Sequence, residues 1–180
     1  LLSRTREQIK DNRLELSEET TSRWKDYLQE RHHILLSKIA REFCEKNGLV
    51  QKGREGDSAF YIQQLNERGG LEALDQKDRE RLEKMERLQD MLEIHGQQMT
   101  IDERYLLLHF GEERATKLQG AIEEKRGDGE DISGEAAEMG KVRDMQADIL
   151  SETLKGEDGK EDFKRKIYEK VYEEIRKEYE

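Results

Sequence analysis

The chain has 180 residues, of which 33% are hydrophobic and 42% charged, and 43 acids against 33 bases leave a formal net charge of −10. Soluble domains ordinarily carry about a quarter charged residues, so little apolar surface is available per residue ordered and a thick multilayer fold is excluded. The acidic balance disfavours direct binding to nucleic acid or to an anionic membrane, and no apolar run approaches the ~18 residues that span a bilayer.

Thin architectures suit this ratio: long amphipathic helices, each burying a narrow stripe. No proline interrupts them, and 14 glycines carry the punctuation. One cysteine, Cys44, forms no internal disulfide, which fits a reducing, cytoplasmic setting. The start, Leu1-Leu2-Ser3-Arg4, has neither an initiator Met nor the apolar core of a secretory signal, as expected of a segment of a larger protein.

In chain order, residues 1–15 pattern as a short helix, with Leu2, Ile9 and Leu16 regularly spaced and Thr5 and Gln8 at capping-box separation. Leu16 to Gly48 is the longest apolar stripe. Trp24, Leu28, Leu35, Ile39 and Phe43 recur at helical spacing, Ser17 stands as N-cap ahead of Glu18 and Glu19, and Lys46-Asn47-Gly48 supplies a cation and a stop. Gly48, Gly53 and Gly56 mark a surface loop. A short helix follows from Asp57 or Ser58 to Arg68, with Phe60, Tyr61, Ile62 and Leu65, and Gly69-Gly70 ends it.

Leu71 and Leu74 open the next helical stretch, which continues as Leu82, Met85, Leu88, Met91 and Leu92 to His95-Gly96; so narrow a stripe predicts packing on one neighbour. Thr100-Ile101-Asp102-Glu103 is a capping box leading into the block Tyr105 to Phe110, which reads as core. Gly111 marks a bend in this helix, and Ala115, Leu118, Ala121 and Ile122 continue its stripe to Arg126. Residues 127–134 hold three glycines and three acids and read as a mobile acidic linker. A helix from Glu135 to Lys155 carries Met139, Val142, Met145, Ile149 and Thr153 on one face. The last segment, residues 161–180, places Phe163, Ile167, Val171 and Ile175 at steps of four with Tyr168, Tyr172 and Tyr179 beside them.

Few residues offer chemistry. Glu30 and His33 share the Glu-x-x-His spacing of di-iron bundles, but such a site needs two of these motifs, and solvated or interfacial histidines are the ordinary outcome. His109 and Glu113 stand four apart and His95 precedes the same helix, so a metal or hydrolytic site is conceivable there; the plainer reading packs His109 at the core margin beside Glu113. Cys44 reads as a small buried hydrophobe. The loop from Asp128 to Glu135 lacks the ligand and glycine positions of a calcium loop, with Ile132 and Ser133 in their place. No phosphate loop, nucleophile elbow, dinucleotide fingerprint or Cys-x-x-Cys occurs.

The expectation is an all-α fold, a helical bundle or an elongated set of antiparallel hairpins, with six to seven amphipathic helices and no sheet. It divides into a helical core domain (1–126), an acidic glycine-rich linker (127–134) and a C-terminal helical pair (135–180). The expected function is a non-enzymatic protein–protein interaction module, a scaffold, adaptor or chaperone-like segment, with no cofactor and no metal. Its partner is another protein or a second copy of itself, engaged through Ile167, Tyr168, Val171, Tyr172 and Ile175. Trp24, Leu28, Leu35, Ile39, Leu108 and Phe110 are its expected core. The alternative is an acidic inhibitor that imitates nucleic-acid charge and binds a basic protein, suggested by the ten acids and four bases of residues 127–160.

Overall fold

The helical periods become five α-helices in the computed structural model, which describes residues 15–153. They are α1 (Glu18–Lys46), α2 (Ser58–Glu67), α3 (Gln76–His95), α4 (Ile101–Gly127) and α5 (Ser133–Thr153), with 3-10 turns at Gly70–Ala73 and Gly96–Gln98. No strand occurs among the described residues. The count therefore falls short of the six to seven helices expected: the helix read at residues 1–15 lies outside the described residues up to residue 14, and the one at 161–180 lies wholly outside them. A further difference is local. The stretch opened by Leu71 and Leu74 is a 3-10 turn, because Gly69 and Gly70 take positive φ (111° and 61°) and Asp75 restarts the helix by accepting from the Asp78 amide at 2.9 Å.

Side-chain and terminal chemistry sets the helix ends. At the close of α1, Gly48 adopts φ 66° and Leu49 N–H donates to the Cys44 carbonyl at 2.8 Å, a Schellman closure. Asp57 caps α2 by accepting from Phe60 N–H at 3.1 Å. The capping box of α4 is complete, with Glu103 N–H on Thr100 Oγ1 at 3.2 Å and Thr100 N–H on Glu103 Oε1 at 2.9 Å.

The described chain separates into two compact units, one of residues 25–93 and one of residues 15–24 with 94–153. In the first, α1 and α3 run antiparallel: Lys25 pairs with Glu93 at 2.5 Å, and His32 lies 3.8 Å from Glu86. Its core gathers Ile39, Ala40 and Cys44 of α1, Phe60, Tyr61 and Leu65 of α2, and Leu74 and Leu82. Arg79 reaches back from α3 to the Leu71 and Leu74 carbonyls at 3.1 and 3.3 Å, adding a second donor to the Leu71 carbonyl, which already accepts from Leu74 N–H.

The second unit is built on an antiparallel hairpin of α4 and α5. Partners descend one helix as they climb the other: Arg104 with Thr153, Leu108 carbonyl with Gln146, Glu112 with Arg143, Arg114 with Glu138 and Lys125 with Glu135. Residues 127–134, read as the acidic linker, form the turn of this hairpin. There Gly129 takes φ 71°, and Ser133 N–H and Oγ both donate to Asp131, which starts α5 two residues before the expected Glu135. The first two turns of α1 lie against α5 in the opposite sense. Ser17 N–H and Thr20 Oγ1 donate to Glu152, Arg23 pairs with Asp148 at 2.7 Å, and the Trp24 indole N–H reaches the Met145 carbonyl at 3.2 Å. A two-bond strap joins Leu16 to the turn before α4, Leu16 N–H to Gln97 O at 3.0 Å and Gln97 Nε2 to Leu16 O at 2.9 Å.

α4 runs unbroken through Gly111, whose role is close approach. A Cβ there would sit 3.0 Å from Gln146 Nε2 and 3.2 Å from Gln146 Cγ, whose amide donates to the Leu108 carbonyl. Gly111→Val should therefore cost about 2 kcal/mol through overpacking, lowering the thermal midpoint by several degrees. Gly120→Ala on the same helix, where nothing stands within 4 Å, should stabilise by up to ~1 kcal/mol. Thermal unfolding of both variants followed by circular dichroism checks the contrast, and equal effects would remove the packing account.

Of the expected core, Trp24, Leu28, Ile39 and Leu108 are buried, whereas Leu35 and Phe110 are only half-buried. Six consecutive residues from Tyr105 to Phe110 sweep the whole helix circumference, so they cannot all face inward. Leu107 and Leu108 do, and Leu106 is left 48% exposed.

Candidate interaction surface

The five contact residues expected from sequence, Ile167, Tyr168, Val171, Tyr172 and Ile175, lie outside the described residues. Within them, His95 and His109, named as ligand candidates, each meet a carboxylate on α4. His95 Nδ1 contacts Glu103, whose other oxygen is held by the capping box, and His109 Nε2 is 2.8 Å from Glu113 Oε1, with the Tyr105 ring stacked at 6.3 Å. His109 thus sits at the core margin beside Glu113, as its sequence neighbours imply. His33, exposed on α1, has no second Glu-x-x-His motif to face. Among the described residues, no group of three His, Cys, Asp or Glu side chains is placed to hold a metal ion.

Cys44 is fully buried, and its thiol lies 3.8 Å from the Tyr61 carbonyl. Burial raises its pKa, with Arg68 opposing, so the thiolate needed for nucleophilic or redox chemistry is disfavoured. At the hairpin turn, the Lys125–Glu135 contact raises the lysine and lowers the glutamate, while the Ser133 amide and hydroxyl hold Asp131 below its ordinary value. These groups close a turn and converge on no common point where a reacting atom could sit.

Two polar side chains not named among the expected core are inside. Arg104 is 2% exposed, donating from Nε to the Met99 carbonyl at 3.0 Å and from Nη1 to Thr153 Oγ1 at 2.8 Å. Desolvation lowers its pKa to about 10, against the carboxylates of Glu152 and Glu103, which favour the charged form. Gln146 is likewise buried in the seat left by Gly111. Both are structural clamps of the hairpin.

One open cleft, of about 660 Å³, lies among the described residues of the unit 25–93. Its floor is the outer face of α2, where Ala59 and Ile62 present apolar surface between Gln63, Asn66 and Glu67, and His33 of α1 closes one side. This face arises because the apolar run of α2 exceeds what one side of a ten-residue helix can hide. Phe60, Tyr61 and Leu65 share the inward arc and are buried, which leaves Ile62 at its edge, half-exposed. Glu67, bonded to Gln63 Nε2 at 3.1 Å, is the one acidic group of the wall, and no lysine or arginine lines it. A short apolar floor with an amide-rich rim suits the hydrophobic face of a helix.

No helix among the described residues is long and apolar enough to cross a membrane. A scan against protein-family models finds no match for this chain, and searches of curated proteins and of solved structures find none either.

Proposed function

We propose that the chain is a non-enzymatic helical interaction module, a scaffold, adaptor or chaperone-like segment that engages a partner protein or a second copy of itself through residues 161–180. The observation that carries this reading is a mismatch of apolar surface. Residues 161–180 spell a stripe of Phe163, Ile167, Val171 and Ile175 edged by tyrosines, and such a stripe is costly to leave in water. Among the described residues, the large exposed apolar side chains are only Ile34, Val50, Ile94 and Leu106, two in each unit, which make no stripe of matching length. The antiparallel pairs α1–α3 and α4–α5 favour a wider architecture of helical hairpins, to which helices at 1–15 and 161–180 would add two members.

The same geometry favours this reading over the acidic inhibitor. Of the acids concentrated in residues 127–160, Glu135, Glu138, Asp148 and Glu152 are engaged by Lys125, Arg114, Arg23 and the Ser17–Thr20 cap. Charges committed to neighbours imitate a phosphate backbone poorly. The lone buried cysteine fits a reducing, cytoplasmic setting.

Val171→Glu in the full chain should halve the mass seen by light scattering if the module self-associates, or abolish capture of its partner, with far-UV helicity retained. Assembly and capture both unchanged by Val171→Glu would remove the reading.

A further inference from the structure

Asn47 and Gly48 stand next to each other, both exposed, where α1 ends. We propose that this pair is a self-modification site at which the chain deamidates in water alone, and that the product unseats the last turn of α1 and opens Cys44 to solvent. Neither step calls on a partner or on residues 161–180.

An asparagine carries its amide carbon within bonding reach of the next backbone nitrogen, and a glycine in that next position leaves the approach unobstructed. Of Asn12, Asn47 and Asn66, Asn47 alone precedes a glycine, the others being followed by Arg13 and Glu67. Gly48 takes φ 66°, and a Cβ there would meet nothing within 4 Å, so water has free access to the reacting atoms. The Gly48 N–H is held only by a long bond to the Glu45 carbonyl, 3.4 Å, and fraying of this exposed turn releases it. The Gly48 nitrogen, its proton passing to water, then attacks Asn47 Cγ. The new N–Cγ bond forms, the Cγ–Nδ2 bond breaks, and Nδ2 leaves as ammonia. Water opens the resulting succinimide at either carbonyl and yields aspartate or isoaspartate.

The departing group is the one that closes the helix. Asn47 Nδ2 donates to the Phe43 carbonyl at 2.7 Å, at the negative end of the α1 dipole. A carboxylate in its place only accepts, so two acceptors face each other where donor and acceptor met. Isoaspartate also routes the main chain through the side-chain carbon, which shifts Leu49 N–H from the Cys44 carbonyl it reaches at 2.8 Å. Phe43 and Leu49 both pack against the cluster that holds Cys44, so their displacement uncovers a thiol that is 0% exposed in the closed turn. Loss of the amide bond alone should raise the open population of this turn roughly fivefold.

The test holds the full chain in mildly alkaline buffer and maps its peptides by mass spectrometry. Conversion of amide to acid should appear at position 47 well ahead of Asn66. Cys44, the single thiol of the chain, should react with an aromatic disulfide reagent roughly fivefold faster in the aged sample than in the fresh one. Asn47→Gln, whose longer side chain closes a ring reluctantly, should age without either change, and Asn47→Asp should show the faster thiol reaction when freshly made. Conversion at 47 no faster than at 66 overturns the site. Conversion at 47 with Cys44 reactivity unchanged, or an equal quickening in aged Asn47→Gln, overturns the opening of α1 by the product.

Discussion

Trp24→Ala should lower the unfolding free energy of the unit containing α4 and α5 by about 3–5 kcal/mol, the usual range for removing a fully buried aromatic side chain. The residue is 1% exposed at the point where the first turns of α1 meet α5, so truncation would leave a void among surrounding groups held by their own bonds, Arg23 to Asp148 and Thr20 to Glu152. It would also remove the indole N–H that the Met145 carbonyl accepts at 3.2 Å in addition to its place in the helix ladder. Trp24→Phe separates the two contributions: it keeps most of the apolar volume and loses the hydrogen bond, and should cost about 1 kcal/mol for that bond plus a smaller packing loss. Denaturant unfolding followed by far-UV circular dichroism measures both. In the native chain the single tryptophan gives a second reading, a blue-shifted emission that moves red with the same midpoint as this unit. A loss below ~1 kcal/mol for the alanine variant would mean that the observed seat of α1 on α5 is not what holds it there.

Arg104 is the second large effect, and its sign depends on what replaces it. Arg104→Ala deletes the donors to the Met99 carbonyl and Thr153, opens a void and removes the cation that faces Glu152, which should cost about 3–5 kcal/mol. Arg104→Met fills the same space without a charge. The fall in the arginine's pKa to about 10 corresponds to roughly 3 kcal/mol disfavouring its charged form, and the methionine variant escapes that penalty. Its net loss should therefore be only about 1–2 kcal/mol, for the acceptors left behind. The pH dependence follows from the same shift. Below about 10 the side chain is charged in both folded and unfolded states and the penalty is full; above about 10 the folded chain loses the proton while the unfolded chain still binds it, so this contribution to stability rises with pH. Chemical denaturation of wild type and Arg104→Met at neutral pH and above pH 10 should show the wild-type advantage widening, and equal losses for Ala and Met would discard the volume argument.

Arg104 also shows where reading by residue type stops short. The buried positions of α4 include Ile101, Arg104, Leu108, Gly111, Ala115, Leu118 and Ile122, an unbroken alternation of steps of three and four. The spacing alone assigns Arg104 and Gly111 to the inward seam. Choosing the core by apolar residue type passed over both the arginine and the glycine. Gln146 escaped for the same reason on α5, where Leu150 was also missed. Helix starts were more legible, because a cap is a local arrangement: Asp57 and the Thr100–Glu103 box are set by residues three apart, and the stop at Gly48 by a single backbone conformation. The α2 cleft left no comparable mark. Its wall joins His33 to residues more than two dozen positions later, and periodicity reports which side of a helix is apolar without reporting which part its neighbours leave uncovered.

The meeting of Ser17 with Glu152, reinforced by the strap from Leu16 to Gln97, fixes one more property. A nick in the exposed turn near Gly129 would therefore leave α5 tethered through its bonds to the start of α1, and the cut chain should stay associated.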